Sequence, residues 1–273
     1  MGPDSNFVQV LQGDASISRW FLFLKRLVVR GCKMVSGYSE QAVKQNVYLA
    51  NSKATGQLLE QVFGNYDYKV VYPPVTSTPA VTPWEMRQEG FLCIARIEPY
   101  KRQDRIIQIL KQVREQGFDI RLKIVGRVDD ESYYNMVSRL RDYNSSWISI
   151  DSDIPRDELF QLMNRYKYGI NGALDEHFGI AVAEMMKSGC IVFVPHRGGQ
   201  TEIIDTPELI YENVDDAVDK ILKVLRDEVP HGELLQRLER QGEMFSTETF
   251  CRSMQANVSE FLSAREHADA RSG

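Results

Sequence analysis

Three observations predict an α/β protein built on a parallel sheet. Continuous apolar runs such as Phe91-Leu92-Cys93-Ile94-Ala95 suit strands that are buried on both faces. Between such runs, apolar residues recur at helical spacing, as Ile106, Ile107, Leu110 and Val113 do. The two signals alternate along most of the chain without repeats or low-complexity tracts, which is the pattern of βαβ units.

Residues 47–50 are a short β-prone run, stopped by Asn51-Ser52, a helix cap. Residues 54–63 read as a helix closed by Gly64-Asn65, and 69–72 as a strand stopped by Pro73-Pro74. The stretch 75–83, VTSTPAVTP, is uncharged and rich in Thr, Ser and Pro, the composition of a linker. Beyond it, strands are predicted at 91–95, 122–125, 147–150, 168–171, 190–194 and 209–211. Helices are predicted at 102–116, 133–143, 156–166, 180–187 and from 200 onward, and three more follow at 214–226, 233–241 and 248–264. Ligands of such sheets bind at the carboxyl ends of the strands, so the candidate residues are sought there.

Composition narrows the function classes. Hydrophobic residues are 43% and charged residues 26% of the 273, ordinary for a soluble globular chain. The net charge of −5 is not that of a nucleic-acid-binding polycation. No apolar run approaches the ~20 residues that span a bilayer, and no leader sequence is expected. Cys32, Cys93, Cys190 and Cys251 include no CxxC pair, so they are expected to be buried reduced thiols of a cytosolic protein. Residues 15–39 contain no acid but have Arg19, Lys25, Arg26, Arg30 and Lys33 interleaved with aromatic and aliphatic residues. Such a helix suits an anionic membrane surface, or packs its apolar face on a neighbouring layer.

Three elements carry chemistry. The stretch from Glu176 to Glu184 has a glycine, Gly179, at the start of a helix whose free N–H groups and dipole favour an anion. Its two glutamates suit sugar hydroxyls rather than phosphate, because like charges repel. Arg96 follows a strand directly and Lys101 comes five residues later, a fork and a point charge for a diphosphate. Gly198-Gly199 offers a second backbone cradle, or only a loop. Asp151-Ser152-Asp153 is a DxD triplet with the chemistry of a metal-diphosphate site.

Together these elements resemble the C-terminal half of retaining glycosyltransferases of family 4, which have the GT-B fold. The resemblance runs over residues 47–261, and EHFGIAVAEMMKSGC is similar in wording to the mannosyltransferases of dolichol-linked oligosaccharide synthesis. NVYLANSKAT and KVVYPPV match the last strands of that family's first domain. The implied organisation is a partial acceptor-side Rossmann-like segment (1–75), a linker (76–88), a complete nucleotide-sugar-binding Rossmann-like domain (89–245), and a C-terminal helix and tail (246–273).

The resemblance implies catalytic roles for Glu176, Arg96 and Lys101. It places Gly126, Ile154, His177, Phe178, Gly179, Ile180 and Glu184 around the donor, with Glu184 on the ribose diol and Ile154 beside the base. No metal and no cofactor are implied, and in that frame the DxD triplet falls in the base-side loop. The implied donor is a nucleotide sugar, GDP-mannose first and a UDP-sugar second. The implied acceptor is a glycan or a lipid-linked glycan. Residues 15–39 would meet a membrane or a second subunit, and the protein would be cytoplasmic, peripheral on the cytosolic membrane face.

Three departures from the family pattern stand out. Ser152 replaces a usual glycine, Arg127 follows Gly126, and only 75 residues precede the linker where a full first domain has roughly 150. A donor-binding module inactive without a partner chain is therefore the second reading. An epimerase on the same architecture is a third, weakened by the complete pair of glutamates.

Overall fold

The computed structural model describes residues 28, 30–32, 34–37, 46–64, 67–76 and 82–272. Two compact units divide the chain, Met1–Val47 and Tyr48–Gly273. In the first, residues 28, 30–32, 34 and 35 are helical, with Val28, Met34 and Val35 exposed. Most of the basic stretch 15–39 lies outside the described residues.

The second unit opens with β1 (Tyr48–Ala50), α1 (Lys53–Phe63) and β2 (Tyr68–Val70). β1 and β2 pair in parallel, Tyr48 opposite Tyr68. The larger sheet holds β3 (Gln88–Ile94), β4 (Arg121–Val125), β5 (Ile148–Asp151), β6 (Tyr166–Ile170), β7 (Ile191–Pro195) and β8 (Ile210–Tyr211). Every pairing in it is parallel, and the spatial order is β5-β4-β3-β6-β7-β8. The chain thus winds outward from β3 on one side and returns to start again at β6 on the other. The junction of β3 and β6, where the winding direction reverses, is a topological switch point.

The connecting helices are α2 (Gln103–Glu115), α3 (Glu131–Tyr143), α4 (Arg156–Arg165), α5 (Ile180–Lys187), α6 (Gln200–Ile204) and α7 (Val214–Leu225). α8 (His231–Gly242) and α9 (Thr247–Ser272) complete the chain. The apolar runs are buried on both faces, with Phe91, Leu92 and Cys93 of β3 and all five residues of β7 inside the core. Ile106, Ile107, Leu110 and Val113 form the buried face of α2, as their spacing requires.

Local deviations have local causes. α2 starts at Gln103 because Arg102 is left-handed, with φ 54°, after a 3₁₀ turn at Pro99–Lys101. Val75, first residue of the expected linker stretch, is buried; its N–H donates to the Phe245 carbonyl at 2.9 Å, and the Val75 carbonyl accepts from Lys187 Nζ at 2.8 Å. Residues 77–81 of that stretch lie outside the described residues. All four cysteines are free thiols, but only Cys93 and Cys190 are buried, each pushed up to about 12 by desolvation. Cys32 and Cys251 are exposed, which corrects the expectation of burial: each sits on a helix turned to solvent rather than on a core strand. Among the described residues no helix is long and apolar enough to cross a membrane.

Candidate functional site

The carboxyl ends of β3, β4, β6 and β7 are laced together. Ile97 forms a bridge with Val128, and the buried Gln103 side chain donates to the Arg96 carbonyl at 2.8 Å. A Cβ at Gly126 would stand 1.8 Å from the Ala95 carbonyl oxygen, so only glycine lets the loops after β3 and β4 approach this closely. A Cβ at Gly172, after β6, would meet the Lys101 and Arg102 carbonyls at 2.8 and 3.0 Å. The loops on either side of the switch point therefore touch backbone to backbone.

Side chains follow from this. Lys101 Nζ forms an ion pair with Glu176 Oε2, the lysine side chain 11% and the glutamate 20% exposed. Tyr100 next to it donates its hydroxyl to the Asp175 carbonyl, and desolvation raises it to about 12. Arg96 is more open and reaches Asp129 at 2.7 Å and Glu98 at 2.9 Å. Asp129 also accepts from Arg127 Nε at 2.7 Å, and these two hydrogen bonds hold its carboxyl below the usual range.

Gly179 caps α5 with φ 104° and ψ 58°, left-handed as a glycine permits. Phe178 is buried in an aromatic cluster with Tyr72 and Phe245, at centroid distances of 6.1 and 5.6 Å, while His177 and Ile180 are exposed. Glu184 is 4% exposed, with Oε1 paired to Arg156. Ile154 packs partly buried against the core edge. Gly198-Gly199 packs against this same loop: the Gly199 N–H donates to the Glu176 carbonyl at 2.7 Å, and a Cβ at Gly198 would meet that oxygen at 2.5 Å.

Lys101, Glu176 and Gly179 are thus gathered at the switch point, with Arg96 and Gly126 at the adjoining β3–β4 end and Glu184 on α5. Asp129, Arg156 and Gly172 were not foreseen. Arg156 had a readable signal, since a cation in the first turn of a helix opposes the dipole and calls for a partner. Asp151 of the DxD triplet faces Lys123, and Asp153 is left-handed with φ 54°. Among the described residues no group of three metal-ligating side chains occurs.

Comparison with known proteins fits this frame. Residues 76–244 match the family described as glycosyl transferases group 1. A GDP-Man:Man(3)GlcNAc(2)-PP-Dol alpha-1,2-mannosyltransferase of Candida glabrata is 28% identical over 205 residues, covering 69% of this chain and 38% of its own. Its namesake in Dictyostelium discoideum is 26% identical over 226 residues, covering 74% and 45%. The chain therefore spans less than half the length of these curated relatives. Among solved structures, sucrose-phosphate synthase of Thermosynechococcus elongatus superposes with a TM-score of 0.69 at 16% identity, over 82% of this chain and 61% of its own. Anabaena HepE in complex with UDP and glucose gives 0.67 at 17%, over 77% and 62%. The fold is that of GT-B glycosyltransferases, with a Rossmann-like parallel-sheet domain. A family match spanning the whole six-stranded sheet and every loop at its carboxyl ends settles the affiliation: the chain belongs to the glycosyl transferases group 1 family.

Proposed function

We propose that this chain is the donor-binding part of a retaining, metal-independent glycosyltransferase that transfers mannose from GDP-mannose to a lipid-linked glycan. The observation that carries the reading is the Lys101–Glu176 pair at the switch point, beside the left-handed Gly179 that opens α5. Lys101 and Arg96 would neutralise the diphosphate, and the N–H groups of Phe178, Gly179 and Ile180 would add donors at the helix start. Glu176 would accept hydrogen bonds from the transferred sugar, Glu184 from the ribose diol, and Ile154 would border the base. Departure of the nucleoside diphosphate is then assisted electrostatically, by groups already in place.

The mannosyltransferase relatives support GDP-mannose, and the UDP named in the HepE complex supports a UDP-sugar as second choice. The proposed division is an acceptor-side segment (1–75), a linker (76–88), the donor domain (89–245) and a C-terminal helix and tail (246–273), with a peripheral place on the cytosolic membrane face through residues 15–39. The second reading is a donor-binding module that transfers sugar only with a partner chain.

Calorimetric titration with a panel of nucleotide sugars, followed by assays of donor hydrolysis and of transfer to a lipid-linked glycan, tests the proposal. One-to-one binding of GDP-mannose with transfer is the expected result. Binding without transfer selects the second reading, and no binding of any nucleotide sugar contradicts both.

A further inference from the structure

Helix α1 lies in the segment proposed above as acceptor-side, yet its first turn is built into the donor loop. The Glu202 carboxylate on α6 accepts the N–H groups of Lys53 and Ala54, each at 2.9 Å, and the Tyr72 hydroxyl at 2.8 Å. Ser52, fully buried, accepts the Thr55 N–H at 3.0 Å. The free donors of the first helical turn are thereby filled, two of them by a residue about 150 positions away. A carboxylate there also complements the helix dipole.

The same turn grips the donor loop. The hydroxyls of Ser52 and Thr55 both donate to the carbonyl of His177, Thr55 at 3.2 Å. A Cβ at Gly199 would lie 2.9 Å from the Ser52 Cβ, so α1, the loop 176–179 and the glycine pair form one contact. Tyr72 extends it, its ring 6.1 Å from that of Phe178. The His177 carbonyl and the Phe178 N–H share one planar trans peptide and point in opposite directions. Holding the carbonyl on α1 therefore fixes the N–H on the side away from α1.

We propose that Ser52, Thr55 and Glu202 form a latch by which the acceptor-side helix holds the 176–179 loop in its nucleotide-binding conformation, making them positioning residues for the donor. This rests on the donor-site reading above. It implies that the donor domain cut out at the linker would bind nucleotide weakly, because its loop would lose this support.

The test uses the full chain and GDP as the probe. Thr55→Ala leaves the helix cap in place, and Ser52→Ala removes it together with the second hydroxyl. Asn213→Ala is the control, since Asn213 caps α7 in the same way through the Asp216 N–H at 3.0 Å, on the far edge of the sheet. The double variant Ser52→Ala/Thr55→Ala should bind GDP about tenfold or more weakly, the loss of one or two hydrogen bonds. Asn213→Ala should lose comparable thermal stability with GDP affinity unchanged, and Thr55→Ser should restore what Thr55→Ala loses. Should the double variant not fold, Thr55→Ala against Thr55→Ser decides alone. Wild-type GDP affinity in a folded latch variant, or an equal loss in Asn213→Ala, overturns the latch and leaves the donor site standing. Absence of GDP binding by the unmodified chain overturns the donor-site reading and the latch with it.

Discussion

Lys101 and Glu176 pair at the carboxyl ends of the neighbouring strands β3 and β6, although 75 positions separate them in sequence. Each sits at the carboxyl end of a different strand, and the sheet order alone makes them neighbours. The pair places one cation and one carboxylate where a nucleoside diphosphate and its sugar would have opposite needs. In the proposed site the lysine would serve the phosphates and the glutamate the hydroxyls.

Lys101→Ala should weaken GDP binding more than tenfold. A hydrogen bond to a charged group contributes about 1.5–3 kcal/mol, and the substitution leaves Glu176 facing the phosphates without its partner. Lys101→Ala/Glu176→Gln should recover part of the loss, because the repulsion is removed with the charge. Titration of GDP into the four corners of this double-mutant cycle measures the coupling. Near-wild-type affinity for Lys101→Ala would contradict the assignment.

Gly198→Ala and Gly117→Ala separate backbone strain from displacement of the site. Both glycines are left-handed, with φ 90° and 94°. A Cβ at Gly117 meets nothing within 4 Å, while one at Gly198 meets Glu176 backbone atoms at 2.5 and 2.7 Å. Gly117→Ala should therefore show only the strain of a left-handed residue, about 1–2 kcal/mol, with GDP binding intact. Gly198→Ala should lose more stability and also GDP binding, because the Glu176 loop must move. Thermal melts beside titrations check this, and equal effects of the two substitutions would refute it.

Much of this was readable in the sequence. The parallel α/β architecture was, because continuous apolar runs such as 91–95 have few other homes. The pairing of the Arg96–Lys101 element with the Glu176 stretch was visible as chemistry but not as geometry, since sheet order is not written in local pattern. What stayed hidden depends on contacts distant in sequence. Glu202 looks like an ordinary first-turn carboxylate of α6, yet it caps α1. Gly198-Gly199 read as a cradle or a loop, and its need for glycine comes from the backbone packed against it. Helix boundaries shifted where one residue adopted an unforeseen conformation, as left-handed Arg102 did.

Nucleotide binding should be indifferent to EDTA. In the proposed site Arg96, Lys101 and the start of α5 would neutralise the anion, and Asp151 of the DxD triplet is engaged by Lys123. Titration of GDP with and without Mg²⁺ measures this. A strict Mg²⁺ requirement, with GDP binding lost in Asp153→Ala, would contradict it.

Stability should fall on the alkaline side. Burial pushes Tyr100 up to about 12 from 10.0, and Cys93 and Cys190 up to about 12 from 9.0. Tyr72, Tyr168 and Tyr211 are raised further, burial again the largest cause. Between the unfolded and folded values the unfolded chain has released protons that the folded chain keeps. Stability is therefore fully present below about pH 9 and declines toward about pH 12. Urea midpoints at about pH 8 and about pH 10.5, taken under reducing conditions, should differ in that direction. Equal midpoints would contradict the burial of these groups.

A crystal structure of the full chain with GDP tests the central claim most directly. The account predicts the diphosphate at the β3–β6 switch point, within hydrogen-bonding distance of Lys101 Nζ and of the N–H groups at the start of α5. It also predicts the ribose beside Glu184. GDP bound elsewhere on the chain, with the Lys101–Glu176 pair undisturbed and no phosphate near Gly179, would contradict it.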